Sequence, residues 1–277
     1  MKKVILQLQG GLGNQLFQIS FAYNLAKIIK ASLLIDKSAF LLDINFRRKF
    51  ELHNLNLQKS SLIDLFFLYI NRLIYKIFKK KIFKIFNIVF INDTENIRYE
   101  KQFYNYDYSN VKKIYIIGFF QSLKYSKSKF ILKKFFSEFK IKSKIITMAR
   151  NISNKDVFIG MRFYEENKVL QNSFGGIEGY KFYLEKLRNM KNINNIYIMS
   201  TKNLNKEIFY KIFKNKIIII NNKLTNDEKI YLISKFQRMI ISNSTFYFWG
   251  LFFSNNLFLS RRIKFYVSKK FLNKDII

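Results

Sequence analysis

The chain has no proline, no cysteine, nine glycines and a single histidine in 277 residues. Without cysteine there is neither a disulfide framework nor a thiolate metal site, a composition compatible with a reducing compartment. No stretch reaches the roughly 18 uncharged apolar residues that a spanning helix needs. The opening "MKKVILQLQGG" is too short and too polar in its apolar part for a secretory signal. A cytoplasmic protein is expected. Acidic side chains are also scarce: 18 Asp and Glu stand against 50 Lys and Arg, a formal net charge of +32.

Hydrophobic residues make up 49% of the chain, which excludes a disordered protein. The length fits about two domains. Lys, Ile, Asn, Phe and Tyr abound while Gly, Ala and Arg are sparse, the pattern of an AT-rich coding sequence. The lysine excess is therefore first a matter of composition. Whatever its origin, +32 draws a protein toward anionic surfaces. A basic nucleic-acid-binding protein is one alternative for such a charge with 18% aromatic residues, but no nucleic-acid motif is present and the aromatics sit in apolar runs.

Apolar runs alternate with helical spacing along the chain. Val4–Leu8 reads as a buried strand, Asn14–Lys30 as a helix with Leu16, Ile19, Phe21, Tyr23, Ala26 and Ile29 inward, and Ser32–Asp36 as a second strand. Strand, glycine turn, helix, strand is a βαβ unit and implies a parallel sheet. "KKIYIIGFFQS" (Lys112–Ser122) holds another strand ending at Gly118. The stretch Leu62–Phe90 is aliphatic, aromatic and basic together. It is either one or two core-packed helices or a basic amphipathic face that lies on an anionic membrane. Ser137–Lys155 turns polar and lysine-rich, which places a domain boundary at about residue 150. The alternation then restarts: strand "DVFIGMRF", a helix from about Gly179, strands at Asn195–Ser200, Lys216–Asn221 and "RMIIS", and helices between and after them.

Three of the nine glycines, Gly10, Gly11 and Gly13, crowd into "LQGGLGNQLFQ" directly after the first strand. Gly11-x-Gly13-x-x-Leu16 meets a dinucleotide fingerprint at two positions of three, with Asp36 where a ribose-binding acid would stand. Leu16 replaces the third glycine. A nucleotide P-loop is excluded because no Gly-Lys-Ser/Thr follows. The amides of Asn14 and Gln15, beside the N–H groups of a helix start, can bind hydroxyls or phosphates without carrying charge. Asn14 is equally suited to cap the helix.

"GGLGNQLFQISFAYNLA" resembles the opening signature of the α-1,2-fucosyltransferases, glycosyltransferase family 11. "IGFFQSLKYS" (Ile117–Ser126) is similar to that family's G-[YF]-[FW]-Q-[SD] segment, "EGYKFYLEKL" (Glu178–Leu187) to its Tyr-x-x-Tyr helix, and "MIISNSTFYFWGLFF" (Met239–Phe253) to its I-x-x-N-S-[ST]-F-S-W-W-[GA] segment. The four occur in the family's order. One motif departs: where the family carries H-x-R-R-G-D-Y, this chain reads "GMRFYEE". Arg162 is the arginine kept; Gly160, Phe163 and Glu165 stand at the histidine, second arginine and aspartate positions.

The resemblance implies an α/β, GT-B-like architecture of two Rossmann-like lobes facing a central crevice. Residues 1–150 would form the lobe with the glycine turn, on the acceptor side, and 151–277 the nucleotide-sugar side. It implies inverting transfer of L-fucose from GDP-fucose to the 2-hydroxyl of a galactose-type acceptor in glycan synthesis, with no metal and no cofactor beyond the donor. The sequence has no Asp-x-Asp, the pair that holds a metal–diphosphate in the other large glycosyltransferase fold. Arg162, Asn14 and Glu165 are the implied catalytic residues. Gly11, Gly13, Gln15, Asn243, Ser244, Thr245 and Phe246 are the implied donor-binding set. Alternatives are another nucleotide sugar, or an inactive member. The expected partners are a nucleotide sugar, a glycan and, through 62–90, an anionic membrane, with no nucleic acid. His53, the single histidine, lies far from every motif and is expected to be structural or exposed.

Overall fold

The computed structural model describes residues 1–44, 47–94, 99–126, 129–162, 179–201, 204, 207–213, 216–220 and 223–254, and the backbone of a strand at 264–267. The chain forms two α/β units, one over Met1–Glu138 and one over Phe139–Leu272.

The first unit runs β1 (Lys3–Gln7), α1 (Leu12–Ile28), β2 (Ser32–Asp36), β3 (Gln58–Lys59), α2 (Leu62–Phe78), β4 (Ile82–Ile85), β5 (Ile88–Asp93), α3 (Gln102–Asn105), β6 (Lys113–Gly118) and α4 (Phe130–Ser137). Its sheet has the order β3-β2-β1-β6-β5-β4. Every pairing is parallel except that of β4 with β5. Runs such as "VIL" and "IYII" are apolar on consecutive residues because helices cover both faces of a parallel sheet; Val4, Ile5, Leu6, Tyr115 and Ile116 are fully buried.

The second unit runs α5 (Ser143–Arg150), β7 (Val157–Met161), α6 (Tyr180–Arg188), β8 (Asn195–Ser200), α7 (Glu207–Tyr210), β9 (Lys216–Ile219), α8 (Asn226–Ile233), β10 (Arg238–Ile241), α9 (Thr245–Phe253) and β11 (Lys264–Val267). Its sheet, β11-β10-β7-β8-β9, is parallel throughout. α5 lies in the polar stretch that the sequence assigns to a boundary. Its lysines are compatible with a helix because Ile145 and Ala149, one turn apart, supply the buried face.

In each sheet the strand order reverses once. β1 is followed by β2 and β3 on one side while β6 and β5 lie on the other; β7 leads to β8 and β9 on one side while β10 and β11 lie on the other. Ligands of open α/β sheets bind outside the carboxyl ends of the strands at such reversals. The reversals lie between β1 and β6 and between β7 and β10.

Leu62–Phe90 is not helical throughout. α2 ends at Lys79, which sits in the left-handed region at φ 54° and donates its N–H to the Tyr75 carbonyl. The remainder is an antiparallel hairpin, β4 to β5, turning at Phe86 with φ 50°. Among the described residues no helix is long and apolar enough to cross a membrane.

Candidate functional site

The sheet reversals collect the motifs. The glycine turn leaves β1, "FFQS" leaves β6, Arg162 leaves β7, and "SNST" leaves β10.

At the first reversal the chain turns at Gly10, with φ +76°. A Cβ there would stand 2.7 Å from Asn14 Nδ2, so the turn demands glycine. Gly11 is the N-cap of α1, and Gly13 is buried in its first turn. Gln15 is fully buried: its Nε2 donates to the carbonyls of Gly10 (2.9 Å) and Lys49 (2.8 Å), and its Oε1 accepts from Glu51 N (2.9 Å). Gln18 clamps the backbone of Gln9 from both sides, each bond 3.0 Å. Glu51 Oε1 accepts the Leu12 N–H at 3.2 Å, so a carboxylate already stands at the positive end of α1. Asp36 is committed as well. It accepts from Gln7 Nε2 at 3.1 Å and from the backbone and hydroxyl of Ser38. The carboxylate that the dinucleotide reading assigns to a ribose is thus already bonded within the protein. Half-buried Asn14 accepts from Gln121 Nε2 at 2.9 Å, a bond that ties the exit of β1 to that of β6.

Two backbone features explain "GFFQS". Gly118 has φ +151°, and a Cβ there would come within 2.8 Å of the Asp93 backbone. Phe120 is held at φ 49°, a costly conformation for a bulky residue. A stack on Phe21 at 4.0 Å between centroids and edge contacts with Phe103 and Tyr125 over-determine it.

Asp93, at the end of β5, is a group that sequence reading missed. It is 1% exposed, neither carboxylate oxygen accepts a hydrogen bond among the described residues, and Lys81 Nζ lies 3.7 Å away while also pairing with Glu100. Burial pushes its carboxyl up to about 7, against the pull of Lys81. The one signal was an acid closing the apolar run "IVFIND".

At the second reversal, half-buried Arg162 directly follows β7. Ser242 N donates to the Gly160 carbonyl at 2.9 Å and fixes the exit of β10 beside it. Asn243, Thr245 and Phe246 are half-buried there. Ser244 caps α9, accepting from Tyr247 N at 3.5 Å. Buried Ser242 Oγ has no partner among the described residues. The N-terminus of α9 opens beside Arg162 at the carboxyl edge of the sheet, an arrangement suited to an anion. Trp249 is fully buried against Phe248, Phe252 and Phe253, hence core.

Tyr247 also escaped the sequence reading. Its hydroxyl lies 3.1 Å from the Met161 carbonyl and 3.2 Å from that of Met199, donating to the ends of β7 and β8. Burial pushes its pKa up, with the Arg162 charge opposing; it remains a neutral donor. A Cβ on Gly160 would meet the Tyr247 ring at 2.7 Å. Gly160 thus leaves the space into which Tyr247 packs.

Glu165 lies outside the described residues, as does Phe163. His53 is exposed and packs edge-on to Phe50. The remaining implied residues form two groups: Gly11, Gly13, Asn14 and Gln15 in the first unit, and Arg162 with Asn243–Phe246 in the second.

No protein-family model and no curated protein matches the sequence. Solved structures match its fold. A mutant of Arabidopsis thaliana FUT1 in complex with GDP superposes with a TM-score of 0.52 and 11% identity, over 97% of this chain and 71% of that one. POFUT1 in complex with GDP gives 0.51 and 9%, over 96% and 98%. NodZ alpha-1,6-fucosyltransferase co-crystallised with GDP gives 0.48 and 11%, over 91% and 92%. The chain has the α/β, GT-B-like fold with two Rossmann-like units.

Proposed function

We propose that this protein is an inverting, metal-independent glycosyltransferase that moves L-fucose from GDP-fucose to the 2-hydroxyl of a galactose-type acceptor. The observation that carries the reading is the second reversal, where Arg162 leaves β7 next to the N-terminus of α9. In the reaction the acceptor oxygen attacks the anomeric carbon, the bond from that carbon to the β-phosphate oxygen breaks, and GDP departs with the bonding pair. Negative charge grows on the diphosphate as positive charge grows on the sugar ring. Arg162 takes diphosphate oxygens in its guanidinium fork, and the first amides of α9 with Asn243 and Thr245 complete the cradle. Phe246 borders it. Glu165 takes the acceptor proton, and Asn14, held by Gln121, orients the hydroxyl. Gly11, Gly13 and Gln15 shape the turn that carries Asn14.

Transfer of a different sugar from a nucleotide donor is the second reading. It is favoured by the Gly160–Tyr247 pair, which changes the wall beside Arg162 relative to the motif it resembles.

Titration calorimetry in chelator tests the proposal. GDP and GDP-fucose are expected to bind wild type, and Arg162→Ala to abolish most of the heat. Its transfer rate to a galactose-terminated acceptor should fall about 10²–10³-fold with the circular dichroism unchanged. Binding that appears only with added Mg²⁺ or Mn²⁺, or wild-type transfer by Arg162→Ala, defeats it. Binding of another nucleotide sugar in place of GDP-fucose selects the second reading.

A further inference from the structure

α2 has two apolar faces. The inner one packs Leu68 and Ile74 on the sheet, and Asn71 donates to the carbonyls of Ile91 and Tyr115, both at 3.2 Å. The outer one is a stripe at helical spacing: Leu62 is 85% exposed, Phe66 60%, Tyr69 59%, Leu73 41% and Ile77 70%. Exposed Lys76, Lys79, Lys80 and Lys84 follow, and the hairpin tip adds Phe86 at 92% exposure. Phe78 stacks on Phe83 at 5.4 Å and joins helix to hairpin. The only acid between residues 62 and 90 is Asp64. It is turned inward, bonded to Lys113 at 3.0 Å and to the Tyr115 hydroxyl at 2.8 Å.

We infer that this face is a docking surface for an anionic lipid bilayer. Contiguous exposed apolar area with a basic rim marks an interaction site rather than ordinary surface. Aromatic and branched aliphatic side chains enter the boundary between headgroups and acyl chains, and the lysines meet lipid phosphates. A second copy of this chain fits less well, because pairing the face with itself would set the exposed Lys76, Lys79, Lys80 and Lys84 against their counterparts, a like-charge arrangement. The surface is independent of the chemistry at Arg162, so its failure leaves the proposed reaction untouched.

Flotation of the full chain with vesicles decides it. Wild type is expected to float with phosphatidylcholine–phosphatidylglycerol vesicles and to stay behind with phosphatidylcholine alone. Lys76→Gln/Lys80→Gln/Lys84→Gln should weaken partition about 100-fold, from about fivefold per lysine. Phe66→Ser/Ile77→Ser/Phe86→Ser, all at exposed positions, should weaken it at least tenfold with the circular dichroism unchanged. Lys181→Gln/Lys191→Gln/Lys211→Gln, which removes as much charge from the second unit, should change it less than twofold. Equal recovery with both vesicle types overturns the inference. So does an equal loss in both lysine triples, which would leave only the general attraction of a basic protein. A wild-type dimer that the serine triple converts to monomer, with no flotation, makes the face a protein interface instead.

Discussion

Asp93 is held where water would favour its ionised form and the protein does not. Its folded pKa is about 7 against an ordinary value of 3.8. Between those values the unfolded chain has released the proton while the folded chain retains it, so stability declines as pH rises through that window and levels off above it. Asp93→Asn removes the titration. The variant should match wild type near pH 4 and exceed it at pH 8 by on the order of 4 kcal/mol, the linkage equivalent of that shift. Thermal unfolding of both proteins from pH 4 to 8 measures this; parallel curves would mean that Lys81 already compensates the charge.

Between elements, the seam of β7 with α9 depends on a size exchange. The ring of Tyr247 fills the volume above Gly160 and its hydroxyl joins the ends of β7 and β8. Gly160→His alone should overpack the seam and cost about 1–3 kcal/mol. Tyr247→Ser alone should open a cavity and cost about 3–5 kcal/mol. Together they should cost less than the sum, with a coupling of about 0.5–3 kcal/mol. Denaturant unfolding of the four proteins closes the cycle, and strict additivity would refute the exchange.

At the scale of the molecule, the βαβ rhythm was legible because buried parallel strands are short, apolar and bounded by turns. β2 and β8 fall on the residues expected, Ser32–Asp36 and Asn195–Ser200. The β4–β5 hairpin was not legible. "KIFKIFNIVF" suits helix and strand alike, and pairing with β6, distant in sequence, decides it. The outward stripe of α2 was half legible, since composition assigns large apolar residues to a core without saying which remain outside. At the site, strand exits and the residues after them could be read from the sequence. The commitment of Gln15 and the α1 terminus to internal partners could not, because Lys49 and Glu51 reach them from a loop without a regular pattern.

The polar side chains of α1 have a consequence for the birth of the chain. Asn14, Ser20 and Asn24 bond to Gln121, Ser126 and Tyr125, more than a hundred residues later. Leaving the ribosome well before these partners, α1 completes these bonds late. Until β6 and the turn after it emerge, these three bonds cannot form, and pairing over such separations is slow. The helix after the glycine turn is therefore a lock whose key is made late, and exposed apolar surface in an incomplete first unit favours aggregation. Limited proteolysis of chains ending at residue 111 and at residue 138 should show α1 cut readily in the shorter chain and protected in the longer. Equal protection would mean that β1 and α1 close without β6.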